Sequence, residues 1–226
     1  MNPNKETLSS LSSSSEALKI PSAKKIKTLL FDFGDVFINL DKSATAEKLV
    51  EFGLEDFNDE MNLHNQTYEV GNISSNSFIS YYENSIENAS AEAITEAWNG
   101  ILLDFPAHRL DFLKELKEKG EFQLILLSNT NDLHISWVKE HVKFYEEFKS
   151  CFDAFYLSHE IHLRKPNSEI YEFILNRHHL KPEEILFIDD TKENTDAAKN
   201  LGINVWNIDP ATEDITTLFT TNQQLF

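Results

Sequence analysis

The stretch that decides the fold is TLLFDFGDVFINLD, residues 28–41. Four apolar-to-neutral residues run without alternation into Asp32, a glycine turn follows at Gly34, a second acid stands at Asp35, and the chain then turns apolar again. An uninterrupted apolar run of this length, stopped by turn residues, is the pattern of a parallel strand covered on both faces. Such a strand ends by presenting its next side chain, here the Asp32 carboxylate, at the carboxyl edge of a sheet.

Four further runs have the same character: FQLILLS (122–128), DAFYLS (153–158), EILFID (184–189) and INVWNI (203–208). Between them lie segments with helix starts and stops. PAHRLDFLKELKEKG begins on Pro106 and ends on Gly120, NSEIYEFILNRHHL follows Pro166, and KENTDAAKNLG closes on Gly202; proline at a helix start and glycine at its end is the expected asymmetry. Strands alternating with helices define an α/β fold, a Rossmann-like doubly wound parallel sheet.

Residues 42–105 break this rhythm. They contain no strand pattern, only helical pieces: SATAEKLVEFG, then SSNSFISYYENSI with Phe78, Ile79, Tyr82 and Ile86 on one face, then SAEAITEAWNGIL behind the capping serine Ser90. An insert of this length is too long for a simple crossover and reads as a small helical cap subdomain over the carboxyl edge of the sheet. The expected division is therefore a Ser-rich flexible tail at 1–24, an α/β core from 25–41 and 106–226, and the cap at 42–105.

In open parallel sheets, ligands bind beyond the carboxyl ends of the strands. Those ends carry Asp32, then Ser128, Asn129 and Thr130, then the pair Asp189 and Asp190, while Lys165 stands just before a helix. Three carboxylates brought together repel one another unless a cation sits among them. All the donors are oxygens, so the cation expected is hard and divalent, Mg²⁺ by its habit of taking one or two carboxylates and leaving positions for phosphate oxygens. Lys165 and the Ser128 hydroxyl would hold an anion beside it. The residues alone thus point to a metal-assisted phosphate site.

The bulk composition narrows the partners. The 226 residues carry a formal net charge of −18, the opposite of a nucleic-acid-binding surface, though a few local cations can still make one cleft attractive to an anion. No apolar run reaches membrane-spanning length. The single cysteine, Cys151, allows no internal disulfide and reads as a small buried hydrophobe; a cytoplasmic location is expected. The partner expected is a small phosphorylated metabolite, with no nucleic acid and no membrane.

At this level the sequence resembles the haloacid dehalogenase-like hydrolases. Four motifs of that superfamily stand in order, FDFGDVF at Asp32, LLSNT at Ser128, RKP at Lys165 and FIDDTKENTDAA at Asp189, Asp190 and Asn194, and the insert is similar to the helical cap of its first cap class. LSNTNDLH (127–134), LSHEIHLRKPNSEIY (157–171) and the first-motif glycine resemble the subgroup of bacterial glucose-1-phosphate phosphatases. The resemblance implies Asp32 as the nucleophile forming an aspartyl-phosphate, and Ser128, Asn129 and Lys165 as phosphoryl-binding groups. It implies Mg²⁺ on Asp32, the Gly34 carbonyl and Asp190, with Asp35, Asp189 and Asn194 in support.

One position departs from that pattern. Most phosphatases of the superfamily carry an acid two residues after the nucleophile, where this chain has Gly34, and a glycine cannot transfer a proton. Asp35, His134, His64, Tyr68 and Glu69 are the other groups to consider for that work, with Asp35 and His134 read as a turn acid and a helix-face histidine. Three alternatives to a phosphatase stand beside it. A metal-independent haloacid dehalogenase would have no use for the Asp189–Asp190 pair, a non-catalytic binding protein would be expected to have lost part of the set, and a phosphomutase would pass the phosphoryl group to a second sugar.

Overall fold

The structure, a computed structural model, describes residues 26–226; the serine-rich segment 1–24 lies outside the described residues. Five strands, β1 (Thr28–Phe31), β2 (Gln123–Ser128), β3 (Ala154–Leu157), β4 (Ile185–Asp189) and β5 (Asn204–Asn207), form one sheet in the order β3-β2-β1-β4-β5, and every pairing is parallel. Each expected strand is present, shortened at one or both ends. Helices α1 (Ala44–Glu51), α2 (Asp59–Glu69), α3 (Ser75–Ser85) and α4 (Ala91–Asn99) occupy the insert. Then come α5 (Ala107–Lys119), α6 (Asp132–His141), α7 (Tyr145–Ser150), α8 (Ser158–Ile161), α9 (Ser168–His178), α10 (Lys192–Asn200) and α11 (Leu218–Thr221).

The continuous apolar runs are explained by two cores. Successive strand residues point to opposite faces, so Leu29 and Phe31, Leu124 and Leu126, and Leu186 and Ile188 fall into one apolar cluster with Leu113 of α5 and Val138 of α6. Their neighbours Leu30, Ile125, Leu127, Ile185 and Phe187 fall into the other, with Ile170 and Ile174 of α9 and Ala198 of α10. A strand buried on both faces has no polar position to spare, and all four residues of β1 are buried.

The insert has a third cluster of its own. Leu49, Met61, Tyr68, Phe78, Tyr82, Ile94 and Ala97 from α1–α4 pack together, with Leu133 of α6 against them. Side-chain caps at Asn58, Ser74 and Ser90 accept from Met61 N, Ser77 N and Ala93 N and start α2, α3 and α4. The chain enters and leaves this unit through two paired segments, in which Asn39 N donates to Asp104 O at 2.9 Å, Leu103 N to Asn39 O at 3.0 Å and Asp41 N to Ile101 O at 2.8 Å.

A second tie sits at the far end of α2. Gly71 has φ +69°, and a Cβ built there would stand 2.1 Å from the His159 carbonyl oxygen, so only glycine allows the helical unit to approach α8 this closely. Around it the Ser158 hydroxyl donates to the Glu69 carbonyl at 2.6 Å and His162 Nδ1 donates to the Val70 carbonyl at 2.8 Å. The C-terminal end of α2 is thereby fastened to the core rather than hanging over it. No helix among the described residues is long and apolar enough to cross a membrane.

Candidate active site

Register brings the acids together. Phe31 lies opposite Leu126 on β2 and Ile188 on β4, so Asp32 emerges level with Asp189, and Ser128 stands one step further along β2. The sheet order changes direction across β1, which opens a crevice at its carboxyl end. Carboxylate oxygens of Asp32, Asp189 and Asp190 all lie within 4.8 Å of one another there.

Lys165 holds this cluster. It is 0% exposed, and its ammonium donates to Asp189 Oδ2 at 2.6 Å and lies 2.8 Å from Asp32 Oδ1. Its backbone is clamped at both polar atoms by Asn129, whose Oδ1 accepts from Lys165 N at 2.9 Å and whose Nδ2 donates to Lys165 O at 2.9 Å. Burial works to lower the Lys165 ammonium, and Asp189 and Asp32 more than offset it, so its pKa is raised. Burial pushes the Asp32 carboxyl above the usual carboxylate range, with Asp189 and Asp190 adding to the push and Lys165 opposing it.

Asp189 is the anchor of the arrangement. Beyond Lys165 it accepts from Asn194 Nδ2 at 3.0 and 3.1 Å and from Thr191 N at 2.8 Å, so both its oxygens are committed to protein donors. Asp32 and Asp190 line the cleft, each with one oxygen on a lysine, Lys165 and Lys42 respectively. Gly34 lines the same cleft, and among the described residues no donor meets its carbonyl. Two carboxylates and one bare carbonyl are a donor set that suits a small hard cation, so the residues present fit Mg²⁺.

The expected phosphoryl-binding groups are placed unequally. Lys165 and Asn129 line the cleft, of about 420 Å³, that contains Asp32, Gly34 and Asp190. Ser128 lines an adjoining pocket of about 310 Å³, bounded by Phe33, Leu40, Asn65, Trp98 and Ile101, and its hydroxyl makes only a long contact to Asn129 O at 3.3 Å. Asn194 also lines the cleft and donates its side-chain amide to both oxygens of Asp189.

Gly34 has a structural reason of its own. A Cβ at this position would stand 2.7 Å from Leu40 Cδ1, so the space of the missing side chain is filled by an apolar one. Asp35 does not take up the role: it is held at φ +53°, a left-handed turn that aspartate tolerates. Its Oδ1 accepts from Leu40 N at 2.9 Å, and its Oδ2 lies 3.1 Å from Lys42 Nζ.

Sequence reasoning missed Lys42. Its ammonium bridges Asp35 and Asp190 from the first residues of the insert, and the only available signal was a lysine directly after the paired entry segment. Arg164, quoted within the RKP motif without a role, donates from Nε to Glu69 Oε2 at 2.8 Å. Three cations, Lys42, Arg164 and Lys165, thus line a cleft in a chain whose net charge is −18.

The histidine and tyrosine candidates are used elsewhere. His134 Nδ1 accepts from Asn131 Nδ2 at 3.1 Å and Nε2–H donates to Trp98 O at 3.1 Å, stitching α6 to α4; burial lowers its pKa to about 4. Tyr68 bonds Ser75 Oγ at 2.8 Å and accepts from Leu133 N at 3.1 Å. His64 stacks on Tyr81 at 4.0 Å within the helical unit. Cys151 is buried beside Glu147 O.

One carboxyl edge of a parallel sheet thus gathers Asp32, the buried Lys165 and the Asp189–Asp190 pair. This chain belongs to the haloacid dehalogenase-like hydrolases, whose family model matches residues 29–208. A D-ribitol-5-phosphate phosphatase of Bacteroides thetaiotaomicron is 29% identical over 185 residues, covering 78% of this chain and 89% of the relative. A haloacid dehalogenase family enzyme of the same organism, solved as a magnesium complex, is 34% identical with a TM-score of 0.77, covering 87% of this chain and 99% of that one. The same enzyme has been solved with magnesium and inorganic phosphate. A haloacid dehalogenase-like hydrolase of Porphyromonas gingivalis is 26% identical with a TM-score of 0.73, over 87% of this chain and 97% of that one.

Proposed function

We propose that the chain is a Mg²⁺-dependent phosphatase of a small phosphomonoester, a sugar or polyol phosphate, working through an aspartyl-phosphate on Asp32. The observation that carries this reading is Lys165, fully buried and yet in contact with Asp32 and Asp189 where the cleft opens. A lysine is buried at this cost only where several carboxylates, and an anionic ligand, make use of its charge. The relative that acts on D-ribitol 5-phosphate by its name supports a polyhydroxylated substrate. So does the adjoining pocket of about 310 Å³, which mixes Asn65, Glu69, Asn129 and Asn131 with apolar walls and suits a small ligand.

Asp32 would attack phosphorus in line with the leaving oxygen. Lys165 would steady the equatorial oxygens and keep Asp32 ionised against the burial that raises its pKa, with Ser128 and Asn129 orienting the same group. Asp32, the Gly34 carbonyl and Asp190 would hold Mg²⁺, which supplies charge neutralisation for the transferring group. Asp189, tied by Asn194 and Thr191, would keep Lys165 pointed. Most of the acceleration then comes from positioning and preorganised charge.

The test is a panel of pentitol, pentose and hexose phosphates assayed with Mg²⁺ and with EDTA, using Asp32→Asn as the blank. Phosphate release that needs both Mg²⁺ and Asp32 is expected. Release that persists in EDTA or in the variant overturns the reading.

A further inference from the structure

The proposed reaction leaves a proton unassigned at both its steps. Residue 34 has no side chain, and Leu40 fills the place where one would go. Asp35 is bound to Leu40 N and Lys42, and His134, Tyr68 and His64 are engaged within the helical unit or between it and α6. Two carboxyls of the cleft remain outside the metal-binding acids, Glu69 and Glu193, and Glu193 does not border the adjoining pocket. Glu69, the last residue of α2, lines both the phosphate cleft with Asp32, Lys165 and Asp190 and the adjoining pocket with Ser128, Trp98 and Asn65. Among the described residues it is the one carboxylate that borders both, at the seam where the leaving oxygen of a bound phosphomonoester would lie.

Its placement is fixed from three sides. Ser158 holds its carbonyl, His162 holds the next carbonyl, and Arg164 holds Oε2, while Gly71 lets this end of the helix seat on α8. The Glu69 side chain is 23% exposed, so it faces the cleft without being free in water. Burial raises its pKa, with Arg164 and Lys165 opposing, the direction a group needs if it is to give up a proton and take it back near neutral pH.

We propose that Glu69 is the proton-transfer residue of this enzyme, doing from the insert what residue 34 cannot do from the core. In the first step an Asp32 carboxylate oxygen bonds to phosphorus, and the bond from phosphorus to the ester oxygen breaks with its electron pair on that oxygen. The Glu69 carboxyl gives the oxygen its proton, so the alcohol leaves neutral and Glu69 becomes a carboxylate. In the second step a water oxygen bonds to phosphorus and the bond to Asp32 breaks, restoring the Asp32 carboxylate. Glu69 takes the proton of that water, and inorganic phosphate and the protonated Glu69 remain.

This rests on the phosphatase reading, and the experiment separates the two. Wild type, Glu69→Gln and Asp32→Asn are compared on a polyol phosphate, whose alkoxide cannot leave without a proton, and on p-nitrophenyl phosphate, whose phenolate can. For Glu69→Gln, kcat/KM on the polyol phosphate should fall about a hundredfold or more, while kcat/KM on p-nitrophenyl phosphate stays within about threefold of wild type. Because water activation is also lost, p-nitrophenyl phosphate should give a burst of nitrophenolate close to one per enzyme, followed by slow turnover. Glu69→Ala with added formate, a small replacement carboxylate, should regain part of the slow phase. Equal losses on both substrates, or no loss on either, overturn the assignment of Glu69. Turnover by Asp32→Asn overturns the underlying reading instead, whatever Glu69→Gln does.

Discussion

Replacing Lys165 by methionine keeps the length of the side chain and removes only its charge, so the cost measures the buried carboxylates it serves. In the native arrangement the ammonium stands 2.6 Å from Asp189 Oδ2 and 2.8 Å from Asp32 Oδ1, with both Lys165 and Asp189 at 0% exposure. Without it Asp189 keeps its bonds from Asn194 and Thr191 but becomes a buried charge with no counter-charge in contact. Breaking a buried pair in this way costs about 3–5 kcal/mol, a large share of the roughly 5–15 kcal/mol by which a domain is stable. Urea unfolding in EDTA at pH 7 should show that loss as a shifted midpoint at unchanged slope. The sign of the pH dependence follows from the orphaned acids. Asp32, already pushed up by burial, rises further once the opposing Lys165 is gone, so the folded state binds more protons than the unfolded one and part of the loss is recovered as pH falls from 7 toward 5. Removing the orphaned charge as well, in Lys165→Met with Asp189→Asn, should restore at least about half the loss. A single variant within about 1 kcal/mol of wild type, or a double variant no more stable than the single, would refute the claim that Lys165 is the counter-ion of this cluster.

Three further outcomes follow from the geometry. Mg²⁺ at a hundred times its dissociation constant should stabilise the chain by about 2.7 kcal/mol; Asp190→Asn should abolish that gain in a thermal melt. His134, with its pKa lowered to about 4 by burial, is neutral when folded and protonates first when unfolded, so stability falls as pH drops from about 6.5 to 4; His134→Gln should remove about 2–3 kcal/mol of that slope in denaturant titrations at the two pH values. Gly71→Ala combines a left-handed φ of +69° with a Cβ 2.1 Å from His159 O, and should cost about 2–4 kcal/mol and release the end of α2, seen as faster amide exchange at Val70 and His162.

The parts of the molecule legible in sequence are those set by periodicity and by backbone direction. A strand buried on both faces has to be continuously apolar, so TLLF, FQLILLS and EILFID could be read directly, and a parallel register then forces Asp32, Ser128 and Asp189 to one edge without further information. The capping serine Ser90 announced α4 for an equally local reason, since the oxygen that starts the helix is in the sequence beside it. Lys42 could not be read in this way. Its partners, Asp35 and Asp190, lie 7 and 148 positions away, and nothing in its neighbourhood marks a surface lysine as one that turns inward.

Gly34 shows most clearly where local reading stops. In sequence it is only an absence, an acid that a proton-transfer step would want and does not find. In space it is half of a packing arrangement, because Leu40 occupies the volume beside it and the chain between them turns back through the left-handed Asp35. The carboxyl that borders both the cleft and the adjoining pocket stands on the opposite wall, at the end of α2. Glycine recurs there at Gly71, where it lets Glu69 be carried against α8. The two glycines thus act as a pair, one removing a side chain from the core wall and the other allowing the opposite wall to come close enough to supply its substitute. If so, restoring an acid with Gly34→Asp and trimming Leu40 to alanine should make Glu69 dispensable: kcat/KM on a polyol phosphate in the triple variant with Glu69→Gln should exceed that of Glu69→Gln alone by about tenfold or more, whereas no gain would mean that the two walls do not share one task.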